Sequence, residues 1–184
     1  RAQTHILRSQ SDVILVGIET ALADDPILNC RLPGLEQRSP VRLVLDSCLR
    51  LPLQSKLVQT ANTIPLWLAC DEEITTSRRE EMHAAGCRVL AGESFDGKIA
   101  LPELMDDLGA VGISSVLVEG GAGVAKNFLQ EKLVDRIILF RSPLVIGADG
   151  IAGPDMQTLV EEEFTLARHA HYDRDVYFEY VRKN

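Results

Sequence analysis

The chain has 184 residues, of which 46% are hydrophobic and 25% charged, and its formal net charge is −8. This length suits one globular domain with a substantial core, and the composition is that of an ordinary soluble protein. The acidic balance argues against a nucleic-acid partner, which requires a basic surface. No apolar run approaches the roughly 20 residues that cross a bilayer, so membrane insertion is not expected either.

Strand and helix patterns alternate through most of the chain. In chain order they are a helix over residues 1–10, a strand at 12–16, a helix at 18–23, strands at 41–45 and 64–69, a helix at 77–85, a strand at 87–90, a helix at 101–108 ended by Gly109, a strand at 116–118 and a helix at 124–132. Pro26 closes the second helix, because the residue before a proline is pushed out of the helical region. Such alternation is typical of a mostly parallel sheet.

The pattern changes in the C-terminal part. Residues 134–145 form a strand-like run interrupted by Pro143, and residues 164–171 and 176–181 are two further strands without a helix between them. We therefore predict an α/β fold with a mixed, mostly parallel sheet flanked by helices and an antiparallel C-terminal hairpin. No repeat or linker divides the chain, so residues 1–184 are predicted to form a single domain.

The cysteines give no sign of a metal site. They stand at positions 30, 48, 70 and 87, and no two of them form a C-x-x-C pair. We expect reduced thiols, as in a cytoplasmic protein, rather than disulfides.

A glycine-rich segment lies directly between a predicted strand and a predicted helix. It reads Glu119-Gly120-Gly121-Ala122-Gly123, and Lys126 stands where a full dinucleotide fingerprint would have its third glycine or alanine. Glycines let the backbone approach a ligand closely, and the free N–H groups of the helix start attract phosphate oxygens. The pattern indicates either a phosphate cradle or a plain tight turn.

Two polar groups follow other predicted strands. Thr20 and Asp24 are four residues apart and share one face of a short helix, where they either present a hydroxyl and a carboxylate to a ligand or form a polar helix end. Ser47 and Arg50 follow the strand at residues 41–45, and ligands of α/β sheets bind beyond the carboxyl ends of strands. This second pair suits a ribose 2′-phosphate or belongs to a solvated turn.

Arg8 and Arg31 are candidate anion clamps, with ordinary surface arginines as the alternative. No histidine pairs with a serine or cysteine nucleophile in the sequence pattern, so triad chemistry is not supported.

Four stretches together resemble the reductase half of the bifunctional riboflavin-biosynthesis deaminase/reductase. They are LRSQSDVILVGIETALADDPILNCR (7–31), RLVLDSCLRLP (42–52), SVLVEGGAGVAKNFL (115–129) and LVDRIILFRSPLVIGADG (133–150). The resemblance implies a dihydrofolate-reductase-like fold and a homodimer. It also implies NADPH-dependent reduction of 5-amino-6-(5-phosphoribosylamino)uracil to the ribitylamino product.

The resemblance implies roles for the matching positions as well. The implied NADPH contacts are Thr20, Asp24, Ser47, Gly121, Ala122, Gly123, Val124, Ala125, Lys126 and Asn127. The implied contacts to the phosphorylated pyrimidine are Arg8, Leu28, Arg31 and Glu119. Glu119 is also the candidate catalytic residue, orienting polar substrate atoms and assisting proton transfer.

The chain departs from the family in two respects. The zinc motifs H-x-E and P-C-x-x-C of the deaminase half are absent, so deamination is not expected. The sequence also starts after the family's first strand and its pocket-lining Ser/Trp segment, so we expect a reductase domain that lacks this strand. The alternatives are a related pteridine or pyrimidine reductase of the same fold and an inert nucleotide-binding domain.

Overall fold

The computed structural model describes residues 2–144 and 162–183, which belong to two compact units, residues 1–124 and residues 125–184. The helices are α1 (Ala2–Ser9), α2 (Ile18–Asp24), α3 (Lys56–Gln59), α4 (Thr76–Ala84), α5 (Leu101–Ala110) and α6 (Ala122–Gln130). The strands are β1 (Val13–Gly17), β2 (Val41–Leu45), β3 (Leu66–Asp71), β4 (Arg88–Gly92), β5 (Ser94–Phe95), β6 (Lys98–Ile99), β7 (Val116–Val118), β8 (Arg136–Arg141), β9 (Phe164–Tyr172) and β10 (Asp175–Arg182).

The first unit is built on a five-stranded parallel sheet with the order β4-β3-β2-β1-β7. Val13 is in register with Val41 on one side and with Val116 on the other, so β1, β2 and β7 end at the same edge. From β1 the chain runs outward to β4, whereas β7 lies on the opposite side of β1. Such a reversal of strand order creates a crevice beyond the carboxyl ends of the strands, where α/β proteins bind ligands.

The core of this unit packs along the parallel sheet. All five residues of β1 are buried, as expected for a central parallel strand that is covered on both faces. The buried apolar residues of the core cluster include Ile14, Val16, Val44, Leu57, Leu66, Leu68 and Met82. Two charged side chains, Arg42 and Asp46, are fully buried with them.

The second unit contains an antiparallel sheet with the order β8-β10-β9. Strands β9 and β10 form a hairpin whose turn places Asp173 at a φ of 56°. Tyr177 is buried and meets Phe140 and Tyr172 edge-on, with ring centroids 5.3 and 5.9 Å apart. Burial raises the pKa of Tyr177 to about 12.

The predicted α/β fold with an antiparallel C-terminal hairpin is confirmed. The hairpin, however, belongs to its own three-stranded sheet, and the parallel sheet contains no antiparallel strand among the described residues. The prediction that Gly109 ends a helix was wrong. Helix α5 continues to Ala110, and the glycine with a left-handed φ, 89°, is Gly112.

Three other sequence predictions concern the run at residues 134–145, the cysteines and the number of domains. The strand-like run at residues 134–145 contains β8, Arg136–Arg141, and its last residue lies outside the described residues. All four cysteines are free thiols. The prediction of a single domain that lacks its first strand remains a prediction.

Candidate functional site

Three chain segments meet the same edge of the parallel sheet. Helix α2 follows β1, the Asp46–Ser47 turn follows β2, and the Glu119–Gly121 segment follows β7. The hydrogen bonds continue past the strand ends, from the Glu119 N–H to the Leu15 carbonyl at 2.9 Å. The three predicted ligand-binding segments are therefore neighbours at the reversal of strand order.

The glycine segment, Gly120 and Gly121, lies close to the Thr20 side chain on α2. Gly120 and Gly121 have φ angles of 104° and 81°, which side-chain-bearing residues rarely adopt. A Cβ added to either glycine would lie 3.2 Å from an atom of the Thr20 side chain. A Cβ on Gly17 would lie 2.7 Å from Val124. Thr20, the glycine segment and the start of α6 are thus close neighbours.

Gly123 differs from the two glycines before it. It lies in the first turn of α6, and apart from its own helix and chain neighbours a Cβ added there would meet no atom of the described residues within 4 Å. The first N–H groups of a helix lack intrahelical acceptors and favour anions, and the first turn of α6 carries no acidic residue. Among the described residues, the space at Gly123 therefore remains open beside N–H groups that lack intrahelical acceptors. Ala125, Lys126 and Asn127 follow beyond this first turn, where backbone N–H groups already have helical partners.

Arg8 and Glu119 form a two-point ion pair. The Arg8 Nε donates to Glu119 Oε1 at 2.9 Å, and Nη2 donates to Oε2 at 2.5 Å. The Nη1 group donates to the Asn29 carbonyl at 3.0 Å. Because the two side chains are only 13% and 21% exposed, this pair is more strongly held than a surface ion pair. Arg8 thus fixes the Glu119 carboxylate, which leaves less of its guanidinium available to an incoming anion.

The loop after α2 carries two of the implied substrate contacts. Leu28 has a left-handed φ of 56°, and the residue is only 5% exposed and packs in the buried core cluster. Arg31 is exposed and forms no ion pair with any described residue. A left-handed, buried leucine is strained, and such strain is concentrated at functional sites.

Sequence reasoning missed His5 and Asn29. The Arg31 N–H donates to His5 Nδ1 at 3.3 Å, and the Asn29 carbonyl accepts from Arg8. Partial burial lowers the pKa of His5, and the positive charges of Arg8 and Arg31 lower it further. One signal was available, because His5 precedes Arg8 by three residues and therefore shares its face of α1.

The turn after β2 places the remaining predicted cofactor contact. Asp46 is fully buried and its Oδ2 accepts the Leu51 N–H at 2.8 Å, while burial raises the pKa of this carboxyl group. Ser47 is half-buried next to it. Arg50 is exposed and its guanidinium is paired with the exposed Glu19 carboxylate on α2.

Asp24 is exposed at the end of α2, one turn beyond Thr20.

Residues 2–144 and 162–183 contain no group of three His, Cys, Asp or Glu side chains arranged to hold a metal ion. No helix in these ranges is long and apolar enough to cross a membrane.

A family model, curated relatives and solved structures all match this chain to one protein family. Residues 1–178 match the family model of the RibD C-terminal domain. The riboflavin biosynthesis protein RibD of Actinobacillus pleuropneumoniae is 35% identical over 147 residues, which are 80% of this chain and 38% of that protein. The 2,5-diamino-6-ribosylamino-4(3H)-pyrimidinone 5′-phosphate reductase of Methanothermobacter thermautotrophicus is 32% identical over 162 residues, 88% of this chain and 70% of that protein.

Among solved structures, RibD of Acinetobacter baumannii in form 2 superposes with a TM-score of 0.81 at 27% identity. All of this chain and 50% of the Acinetobacter chain are covered. This likeness confirms the predicted dihydrofolate-reductase-like fold class. The chain spans less than half the length of the RibD relatives, 38% of the Actinobacillus protein and 45% of the Aquifex aeolicus protein. The matched family model and the relatives together show that the chain belongs to the RibD C-terminal domain family.

Proposed function

We propose that this chain catalyses the NADPH-dependent reduction of 5-amino-6-(5-phosphoribosylamino)uracil to its ribitylamino product. One observation carries the proposal: a glycine segment with space at Gly123 and an Arg8–Glu119 pair lie at the same sheet edge, and Arg31, which forms no ion pair with any described residue, is held by His5 one turn from Arg8 on α1. The Methanothermobacter relative is named as a reductase of a closely related ribosylamino-pyrimidine phosphate. A dinucleotide and a phosphorylated pyrimidine would each find suitable chemistry there.

The cofactor side of the site is proposed to consist of Thr20, the glycine segment and Ser47. The residues fit a dinucleotide, because Gly123 leaves space beside free helix N–H groups that a pyrophosphate can accept from. Thr20 packs against Gly120 and Gly121 and holds the segment in its left-handed conformation. Asp24 would add a side-chain contact from α2. When bound, NADPH supplies a hydride.

Replacing Gly123 with alanine is expected to weaken NADPH binding at least about tenfold, or about 1.4 kcal/mol. The added methyl group meets no atom of the other described residues within 4 Å but fills the space that the pyrophosphate would use. Alanine is also the better helix former, so the free energy of unfolding should not fall. The measurement is calorimetric titration with NADPH, together with denaturant unfolding.

Gly109→Ala is the matched control, because Gly109 also lies within a helix and a Cβ there would likewise meet no atom of the other described residues within 4 Å. This variant should bind NADPH as the wild type does. Equal affinity of both variants and the wild type would exclude the phosphate cradle at α6.

The substrate side is proposed to consist of Arg8, Arg31, Glu119 and Leu28. Arg31 is the available cation for the phosphate, since the guanidinium of Arg8 is already engaged by Glu119 and Asn29. An ionised carboxylate accepts hydrogen bonds, so Glu119 would receive amino or hydroxyl donors of the substrate. During reduction the sugar C1 gains the hydride, its bond to the ring oxygen breaks, and that oxygen takes a proton. By orienting the sugar and pyrimidine, Glu119 would place C1 for this transfer.

A direct test follows the loss of NADPH absorbance with the phosphoribosylamino-uracil as substrate and identifies the ribityl product by mass spectrometry. Turnover with stoichiometric product supports the proposal, and absence of turnover at saturating NADPH contradicts it. The 2,5-diamino-pyrimidinone analogue, which carries an amino group in place of the C2 oxygen, is the second substrate to compare. The name of the Methanothermobacter relative, of which the chain covers 70%, favours including it.

Changing both Ser47 and Arg50 to alanine is expected to narrow the preference for NADPH over NADH by about 1–3 kcal/mol, or roughly 5- to 150-fold. Both residues follow β2 at the ligand edge, where a hydroxyl and a cation suit the 2′-phosphate. Arg50 must first leave Glu19, so Glu19→Gln should increase the preference slightly. The ratio of the two dissociation constants is the measurement. An unchanged ratio in the double variant would place the 2′-phosphate elsewhere.

We also propose that the protein acts in the cytoplasm as a homodimer, as the resemblance to the family implies. Light scattering coupled to size-exclusion chromatography tests the dimer. A concentration-independent monomer mass would contradict it.

A further inference from the structure

The segment that carries Arg31 is attached to helix α1 at more than one point. The imidazole of His5 accepts the Arg31 N–H at its Nδ1, 3.3 Å away, and the His5 carbonyl oxygen accepts from the Cys30 thiol at 3.4 Å. Arg8, one turn further along α1, donates to the Asn29 carbonyl at 3.0 Å. Three consecutive loop residues, 29–31, are thus held by one face of α1.

The hydrogen bond at His5 depends on the protonation state of the ring. A neutral imidazole has one nitrogen that accepts, whereas in imidazolium both nitrogens donate. An Arg31 N–H can therefore be held only by neutral His5. Protonation would set a donor against a donor and add a positive charge next to two arginines.

The charged groups around His5 favour the neutral ring. Arg8 lies on its own helix and Arg31 on the loop after α2, and both positive charges disfavour protonation. Glu119, at the end of β7, and the Asn29 carbonyl act in the opposite direction. Burial is the largest contribution, and the net result is a His5 pKa below its ordinary value.

We propose that His5 is a positioning residue of the site: its neutral imidazole fixes the backbone of Arg31 for binding of a phosphorylated substrate, and protonation releases it. This inference rests on the proposed function, because its consequence is measured in substrate binding. His5 acts through Arg31 and need not touch the reacting atoms. Substrate affinity should therefore fall as the ring becomes protonated, while cofactor affinity stays constant.

Two substitutions separate the acceptor from the charge. His5→Asn places an amide oxygen near the position of Nδ1, so it can still accept the Arg31 N–H but cannot be protonated. His5→Leu removes the acceptor and keeps a side chain of comparable bulk. His83→Asn is the matched control, since His83 lies on α4 and its one hydrogen bond among the described residues is with the Cys87 carbonyl.

The experiment measures KM, kcat and NADPH affinity of the full chain between about pH 5 and pH 8, the range in which histidine changes charge. For the wild type and for His83→Asn we expect KM to rise about tenfold towards acid pH, the effect of losing one hydrogen bond. In His5→Asn KM should rise only as far as protonation of the substrate's phosphate raises it in every variant. In His5→Leu it should be about tenfold high at every pH, with kcat and NADPH affinity nearly unchanged.

Three results would overturn the inference: a KM of the wild type that does not change with pH, equal behaviour of the Asn and Leu variants, or a wild-type KM that improves in acid. The last would mean that imidazolium binds the phosphate itself. The amide resonance of Arg31, followed by NMR against pH, gives a readout that needs no turnover. It should titrate with the His5 ring in the wild type and not in His5→Asn. If the wild type reduces neither pyrimidine, the proposed function fails, and the NMR titration alone then decides whether His5 holds Arg31.

Discussion

Replacing Glu119 with glutamine is expected to lower kcat/KM about 30- to 300-fold, or about 2–3.4 kcal/mol, with little change in NADPH affinity. The carboxylate receives two hydrogen bonds from Arg8 in a partly buried position, and the amide can accept only one of them. The amide nitrogen would also face a guanidinium donor. The substrate would thus lose an oriented acceptor and meet an Arg8 without its counter-charge. Steady-state kinetics and calorimetry are the measurements.

A purely structural role for this pair would give a different result. Glu119→Gln would then lower the melting temperature, and activity would fall only through the unfolded fraction. Glu163→Gln is the matched control, because it breaks an ion pair with Arg182 at 2.7 Å whose side chains are 24% and 32% exposed. This control should keep wild-type kinetics. If the two variants lost activity equally, Glu119 would have no special role at the site.

Much of the fold could be predicted because its elements leave strong local patterns. The β-branched run Val41–Leu45 and the short run Val116–Val118 were predicted with the bounds that the structure gives. Helix α3 has four residues, and β5 and β6 have two each, which is too short for any periodicity to appear. The end of α5 was misplaced because Gly109 is compatible with helix geometry, whereas Gly112 has the left-handed φ that ends it.

The chain segments of the candidate site could be predicted from the sequence, but the side-chain contacts between them could not. Residues that follow parallel strands must meet at one edge, so the proximity of Thr20 to the glycine segment follows from the strand pattern. The contact between Arg8 and Glu119 joins positions 111 residues apart, and no local pattern encodes it. Sequence reasoning therefore treated both as separate substrate contacts. The acceptor role of His5 depends on the path of the loop at Arg31, which no periodicity describes.

In the core, the burial of Arg42 likewise could not be predicted from the sequence. Its position within a β-branched strand gives no sign of full burial for a charged side chain, yet it is 0% exposed. Its Nη1 donates to the Ile27 carbonyl at 3.2 Å and to the Thr60 hydroxyl at 2.7 Å, and its Nη2 donates to the Ile64 carbonyl. Burial lowers the pKa of Arg42 to about 10, so the side chain remains protonated at neutral pH.

Arg42→Met is accordingly expected to lower the free energy of unfolding by about 2–4 kcal/mol. The thioether fills a similar volume but leaves the two carbonyls and the hydroxyl without their donor, and each unsatisfied buried acceptor costs about 1–3 kcal/mol. Part of this loss is offset, because the substitution also removes a buried cation. Among the described residues this cation has no carboxylate partner, and its Nε has no acceptor. The free energy of unfolding of Arg42→Lys should lie between those of the wild type and Arg42→Met, since one ammonium group cannot reach all three acceptors.

Arg88→Met is the control for Arg42→Met, because Arg88 is an exposed arginine on β4 that lies over the Trp67 ring at 4.5 Å. It should lose no more than about 1 kcal/mol. Denaturant unfolding of the three variants and the wild type, with equal m-values, makes the comparison. Because Ile27 precedes the left-handed Leu28, Arg42→Met should also speed amide exchange in the loop that carries Arg31. If Arg42→Met had the same free energy of unfolding as the wild type, the cost of burying the guanidinium would equal what its three hydrogen bonds contribute. If amide exchange in the loop were unchanged, Arg42 would not be what anchors it.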